Sequence, residues 1–391
     1  MLLLAALALA AATPADEPRA WEPALRAAER DLCGKQVALL GEDGAHGEGK
    51  SVAFRAVLIR RLVTRCGYRA IFFEASHADF LVIDRAARRG RPLTEAMILS
   101  AIGRKWSQDV ELAPLVAFLA AEARARRVTL GGLDDQLGSA GAFYSLEAMP
   151  GELAQFLPAG RREQCGAALR QRVRWEYSDA SHHDPASIAR LQTCLAEMRA
   201  ATSASPADPD LRDERLQMIA SAEADVSRDF LPTKAIVAGR DRSMYRNFRW
   251  LAARLRPGTK IIVWAANQHA AKDAALDPDF TAGENLGAYI HAAYGRRAFA
   301  LGFSAASGSF RWSRGEFRPI VPAAPGSLEA VLTAGAGEAA YAGPARLQSL
   351  GDRSSVLFSF QKPVSARWSR MFDGLVVFRA SRPPVRIDEP H

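Results

Sequence analysis

Four short apolar runs, each closed by a polar residue, constrain this chain most: QVALLGE ending at Glu42, RAIFFE at Glu74, VTLGGLD at Asp134, and TKIIVWAANQH, which carries Asn267 and His269. Runs this brief, rich in Val, Ile and Phe and separated by helical patterns, predict buried parallel strands. The expected fold is α/β, a mainly parallel central sheet flanked by helices. Parallel strands point one way, so their carboxyl ends share one rim, where open α/β sheets bind ligands. Residues remote in sequence can then face one cleft.

The 391 residues, 49% hydrophobic and 24% charged, describe a globular chain and not a disordered or multispanning one. Net charge is +8, and of the 51 basic residues only seven are lysines, at 35, 50, 105, 234, 260, 272 and 362. No tight basic cluster carries interleaved aromatics, so nucleic acid is not an expected partner. Residues 2–12, LLLAALALAAA, are too few to span a bilayer and precede Thr13, Pro14 and Ala15. They read as a secretory signal occupying 1–15, which places the mature chain in the periplasm or outside the cell. No later run is long and apolar enough for stable membrane insertion, and no oligomeric state follows from the sequence.

Cys33 and Cys66 sit in matching contexts, CGKQVALLGE and CGYRAIFFE. If the two strands are parallel neighbours, the sulfurs lie side by side at the lower edge. Cys165 and Cys194 fall on two helices of one hairpin. Disulfides 33–66 and 165–194 are expected, with four reduced, buried thiols as the alternative.

The organisation divides into a first part of the α/β core (16–146), a helical insertion (147–231) forming a cap or arm, and a second part of the core (232–391). Strands are expected at 36–41, 69–74 and 128–133, then at KIIVW. Further strands are expected near RAFALGFSA, SVLFSF and GLVVF, and a hairpin from FRWS and FRPIV.

The densest chemistry lies in GEDGAHGEGKSVAFR. Glycines 41, 44, 47 and 49 allow a tight turn that keeps side chains clear of a ligand and presents His46 at the rim. A histidine there can serve as general base near neutral pH, or simply bond the turn backbone. Gly44 to Ser51 also imitates a P-loop, but Glu42, Asp43 and Glu48 would repel a phosphate. Arg55 suits an oxyanion or a surface ion pair. Glu74 could orient His46 or hold water, or cap the following helix, a role that His77 also suits. His269 could act as the acid partner or only pack, while Asp43, Asp134 and Asn267 are candidate substrate contacts. His182 and His183 read as a solvated loop pair. No cofactor is required, but a divalent metal, zinc or another, is a competing constellation through Glu42 or Asp43, His46, Glu74 and His269.

Taken together, GEDGAHG, Arg55, Glu74, GLD at 132–134, RDRSMYRN at 240–247 and WAANQH at 264–269 resemble the erythromycin esterase family, across about 36–304. The resemblance implies a hydrolase that cleaves an ester or lactone of a small molecule with water activated by His46, supported by Glu42, Glu74, Arg55 and His269. Two departures stand out. The loop is one residue longer, so Glu42 or Asp43 fills the acidic position, and Ala266 replaces the family's first histidine of H-N-x-H. No G-x-S-x-G turn is present, which favours direct attack by water. The competing reading is a catalytically reduced protein that binds a ligand or metal on the same scaffold.

Overall fold

A computed structural model describes residues 17–103, 105–137, 143–312 and 315–387. The expected secretory signal lies outside the described residues. Seven strands form the central sheet: β1 (Val37–Leu40), β2 (Tyr68–Ser76), β3 (Thr129–Asp134), β4 (Lys260–Trp264), β5 (Ala298–Ala305), β6 (Ala339–Ala342) and β7 (Gly374–Phe378). Their order is β3-β2-β4-β1-β5-β7-β6, and every pairing is parallel except β7 with β6. The fold is thus the mixed α/β architecture expected, a mainly parallel sheet between helices. Val37–Leu40, buried on both faces, sits at its centre, which is why this strand reads as an unbroken apolar run and not an alternating one.

Three expectations change in detail. SVLFSF is not a strand: Arg353–Ser355 pairs antiparallel with Val364–Ala366, and the chain then turns. Val356, Leu357 and Phe358 are nevertheless buried, so their apolar character serves a packed loop. The edge strand β6 went unread because AAYA, within a Gly/Ala-rich stretch, has almost no β-branched content. Finally, β1 and β2 are not neighbours, since β4 lies between them. The 33–66 disulfide forms regardless, with Cα atoms 4.9 Å apart, because Cys33 and Cys66 end the helices Glu22–Cys33 and Gly49–Cys66. Lys260, at the start of β4, donates to both cysteine carbonyls at 2.5 and 2.9 Å. Cys165 and Cys194 also pair, with Cα atoms 5.3 Å apart.

The helix Gly49–Cys66 begins where Glu48 accepts from the backbone N–H of Lys50 and Ser51 at 2.9 and 2.8 Å. It ends at Gly67, whose φ of 75° supplies the left-handed cap. Between Tyr144 and Val226 the regular elements are all helices: Tyr144–Glu147, Met149–Ala154, Ala159–Arg174, Pro185–Ser203 and Pro209–Val226. Asn247, on the helix Thr233–Ala253, ties this arm to the sheet. Its Nδ2 donates to the Leu133 carbonyl in β3 (2.8 Å), and its Oδ1 accepts from Gln217 and Ser221 of the arm. Among the described residues no helix is long and apolar enough to cross a membrane.

Candidate active site

The carboxyl ends of β1, β2 and β4 open onto a cleft of about 360 Å³. Asp43, His46, Glu74, Lys105, Arg240 and His269 line it. The loop after β1 delivers His46 at a φ of 57°, left-handed for a non-glycine residue, with its N–H bonded to the Asp43 carbonyl at 2.9 Å. The glycines around it serve the chain's own packing more than ligand clearance. A side chain at Gly41 would meet Asn267 Oδ1 at 2.2 Å, and one at Gly47 would meet the Arg311 carbonyl at 1.8 Å. The P-loop-like lysine, Lys50, pairs with Glu338 at 3.2 Å and does not line the cleft.

Glu42, fully buried, takes four donors: His46 Nδ1 (3.0 Å), Arg55 Nη2 (2.5 Å), Trp106 Nε1 (3.2 Å) and Trp264 Nε1 (3.3 Å). Burial pushes its carboxyl up, but Arg55 and His46 outweigh that, so it is held below its ordinary value. Arg55 is itself buried, and its guanidinium lies 3.7 Å from the centre of the Trp264 ring. A carboxylate on Nδ1 sets the tautomer that carries hydrogen there and leaves the Nε2 lone pair facing the cleft. Burial, and next Lys105, whose Nζ stands 3.1 Å from Nε2, push His46 below its ordinary value, which keeps the ring neutral.

Glu74 closes the other side. Its Oε1 accepts from Arg240 Nη2 at 2.8 Å and lies 3.6 Å from both Lys105 Nζ and His269 Nε2, and 4.0 Å from His46 Nε2. Its Oε2 accepts from the Ala266 N–H at 2.8 Å. Burial opposes ionisation, but His269, Lys105 and Arg240 hold this carboxyl well below the usual range. Arg240 is clamped by Asp134 at 2.7 and 3.1 Å. His269 has Asp241 on Nδ1 at 2.9 Å and Arg240 Nη1 on Nε2 at 2.9 Å. Burial pulls its pKa down, yet Asp241 and Glu74 raise it above the ordinary value. Because the Arg240 contact fits only the neutral ring, protonation of His269 must turn that guanidinium aside. Asp43, pushed up to about 7 by burial, lines the cleft next to the loop.

His46, Glu74, His269 and Asp43 therefore line one cleft, with Glu42 and Arg55 directly behind His46. Asp134 stands behind Arg240 and not against the cleft space. Asn267 spends its amide on the backbone of Phe303 (2.8 and 3.1 Å) and Leu357 (2.9 Å), joining β5 to the packed loop, and does not line the cleft. Of the carboxylates considered for a metal, Glu42 is taken up by Arg55 and His46 behind the imidazole and Glu74 by Lys105 and Arg240, whereas Asp43 accepts from backbone N–H groups of its own turn. His77 donates its Nδ1–H to the Gly132 carbonyl at 2.8 Å and does not line the cleft. His183, expected to be solvated, instead packs among Trp175, Tyr177 and Phe230.

Four contributors were not assigned roles from sequence: Lys105, Trp106, Arg240 and Asp241. The last two occupy the RDRSMYRN segment, where an adjacent Arg-Asp pair on a helix meets the two ring nitrogens of His269. Lys105 carried a compositional signal, as one of seven lysines in a chain that otherwise uses arginine.

A family model described as erythromycin esterase matches residues 63–381. A stretch of 101 residues is 36% identical to a Bacillus subtilis (strain 168) protein titled "Putative hydrolase YbfO", a match that spans 24% of this chain and only 23% of that relative's length. Three solved structures share the fold at low identity. A Bacillus cereus protein aligns at TM-score 0.73 and 14% identity, over 97% of this chain and 100% of its own. A succinoglycan biosynthesis protein aligns at 0.70 and 14%, over 92% and 91%. A variant of the erythromycin esterase EreC in its open conformation aligns at 0.66 and 17%, over 92% and 94%. By the extent of the family match and the agreement in fold, this chain belongs to the erythromycin esterase family.

Proposed function

We propose that the chain is a periplasmic or secreted hydrolase that cleaves a carboxylic ester or lactone of a small molecule, with His46 drawing the proton from an attacking water. One observation carries the reading: the His46 ring is held by Glu42 through Nδ1 while Nε2, neutral by burial, faces a cleft whose opposite wall is Glu74. A general base needs that geometry and that protonation state together.

The sequence of events follows from the groups in place. Substrate entry draws Lys105 Nζ off His46 Nε2 and onto the acyl oxygen, which frees the lone pair for water between His46 and Glu74. Lys105 and Arg240 then offset the negative charge that develops on that oxygen. His269, favoured in its charged form by Asp241 and Glu74, delivers a proton to the departing alkoxide. Ala266, at the position where the family carries a histidine, contributes its N–H to Glu74, so the carboxylate keeps its place without the missing imidazole. Export is supported by the apolar leader-like run and by two disulfides, which persist in oxidising compartments.

The test is hydrolysis of a panel of esters and macrolide lactones by the wild-type chain and His46→Gln. Loss of a positioned general base should lower kcat/KM by about 10²–10⁴-fold with the fold intact by circular dichroism. Unchanged turnover in the variant removes His46 from the mechanism, and a wild-type chain that cleaves nothing in the panel returns the scaffold to a binding role.

A further inference from the structure

The end of the sheet opposite the cleft carries charge of one sign. β3, β2, β4, β1 and β5 are consecutive and parallel, so all five are entered from that end. The entering segments read RARRV (124–128), RCGYR (65–69), RLRPGTK (254–260), GKQ (34–36) and YGRR (294–297). Together they hold eleven basic residues and no acidic one. A strand spacing of about 4.8 Å spreads this array over roughly 20 Å.

Neighbouring carboxylates offset only part of that charge. Glu29 lies 3.4 Å from Arg65, Glu122 2.7 Å from Arg127 and Asp213 2.8 Å from Arg254. The other basic side chains of these segments form no ion pair among the described residues. Arg69 and Lys260 donate to carbonyls at the end of the helix Gly49–Cys66, Val63 and Cys66, both at 2.9 Å, where a cation complements the helix dipole. That role does not extend to Arg126, Arg256 and Arg296. They lie beyond the ends of the helices Ala113–Arg124, Thr233–Ala253 and Leu286–Tyr294, are exposed, and hold no side-chain hydrogen bond or ion pair among the described residues. Cations gathered by topology and left without partners repel one another, and an anionic partner relieves that repulsion. Nucleic acid fits this face poorly. Tyr294, the one aromatic ring of these segments that is not buried, lies 5.3 Å from the Arg297 guanidinium, so no ring is left on which bases could stack. A planar surface of anionic headgroups suits charges dispersed over five loops.

We propose that this face docks the protein on a bilayer rich in anionic phospholipid, by charge and without insertion, with the cleft at the far end of the same strands directed away from the lipid. The inference does not depend on the ester chemistry. The full chain is sedimented with vesicles of phosphatidylcholine alone and of an equal mixture with phosphatidylglycerol. Comparing the two cancels any contribution from the apolar run 2–12, which favours both alike. Binding should be at least about tenfold stronger to the anionic vesicles and should be lost as salt rises from about 0.05 to 0.5 M. Each arginine near such a surface contributes about fivefold, so Arg126→Gln, Arg256→Gln and Arg296→Gln combined should lower that binding about a hundredfold. The same charge removed at exposed positions outside the five segments, by Arg170→Gln, Arg190→Gln and Lys362→Gln, should lower it less than about tenfold. Should the first combination fail to fold, the lipid and salt dependence of the wild-type chain still decides. Equal binding to the two vesicle types, binding that survives salt, or an equal loss in the two combinations overturns the proposal. A first combination that loses affinity for duplex DNA while keeping its affinity for vesicles also overturns it and assigns the face to nucleic acid.

Discussion

On one side of the cleft Glu42 holds His46 Nδ1 at 3.0 Å, and on the other Asp241 holds His269 Nδ1 at 2.9 Å; both rings are buried, and each meets a cationic side chain at Nε2. The pKa values nevertheless move apart, His46 down and His269 up. The difference lies in what surrounds each pair. Glu42 divides its charge among Arg55, two indole N–H groups and the imidazole, so little is left to favour an imidazolium over burial and Lys105. Asp241 has Oδ1 on His269 and on the Leu286 N–H, and Oδ2 without a partner, and Glu74 adds a second carboxylate at 3.6 Å. Two titratable groups pushed to opposite sides of neutrality are what an acid–base pair requires.

The largest way to break this comparison is Glu42→Gln. It leaves Arg55 buried beside a neutral amide, and removing one partner of a buried ion pair costs about 3–5 kcal/mol; denaturant unfolding should show a loss of that size together with severe loss of turnover. A stability change below about 1 kcal/mol would mean that Arg55 is not held by Glu42. Next in size is Cys165→Ser, which opens a bridge in the arm between residues 29 apart and should cost about 3.6 kcal/mol by the loop it closes. Because the arm carries no member of the histidine pair, kcat/KM at 25 °C should stay within a factor of about three, and a larger loss would couple the arm to the chemistry.

Smaller effects sharpen the contrast through pH. A base that must be neutral loses activity as pH falls through its pKa, so the acidic limb of kcat/KM should lie below the ordinary histidine value of 6.5. An acid that must be charged loses activity as pH rises through its pKa, so the alkaline limb should lie above 6.5. Asp241→Asn removes the main support for the charged His269 and should move the alkaline limb down by about one unit, worth ~1.4 kcal/mol, leaving the acidic limb in place. Lys105→Ala removes the nearest charge that disfavours protonated His46, so the acidic limb should rise towards 6.5 by less than about one unit. A shift of the wrong limb in either variant would reverse the assignment.

Much of this site could be read from residues alone because the sheet imposes it. Short apolar runs mark buried parallel strands, and polar residues at their ends must reach a shared rim, which accounts for His46, Glu74 and His269. Contributions from helix faces and irregular segments were harder to see. Lys105 and Trp106 follow the helix Glu95–Ile102 in a short turn with no periodic pattern, and Arg240 reaches the rim from a helix whose placement depends on tertiary packing. Asn267 shows the converse: a polar residue at a strand end can be consumed by backbone elsewhere, here that of β5, two strands away, and of the packed loop at Leu357. The 33–66 bridge was readable as a pair for a reason that proved incomplete, since helix ends, and not adjacent strands, bring the sulfurs together.

The opposed ionisation of the two imidazoles is tested most directly by an NMR titration of ¹⁵N-labelled histidine, with His46→Gln and His269→Gln used to assign the signals. His46 should titrate below 6.5 with hydrogen on Nδ1 in its neutral form, and His269 should titrate above 6.5. Coincident titrations, or the reverse order, would contradict it.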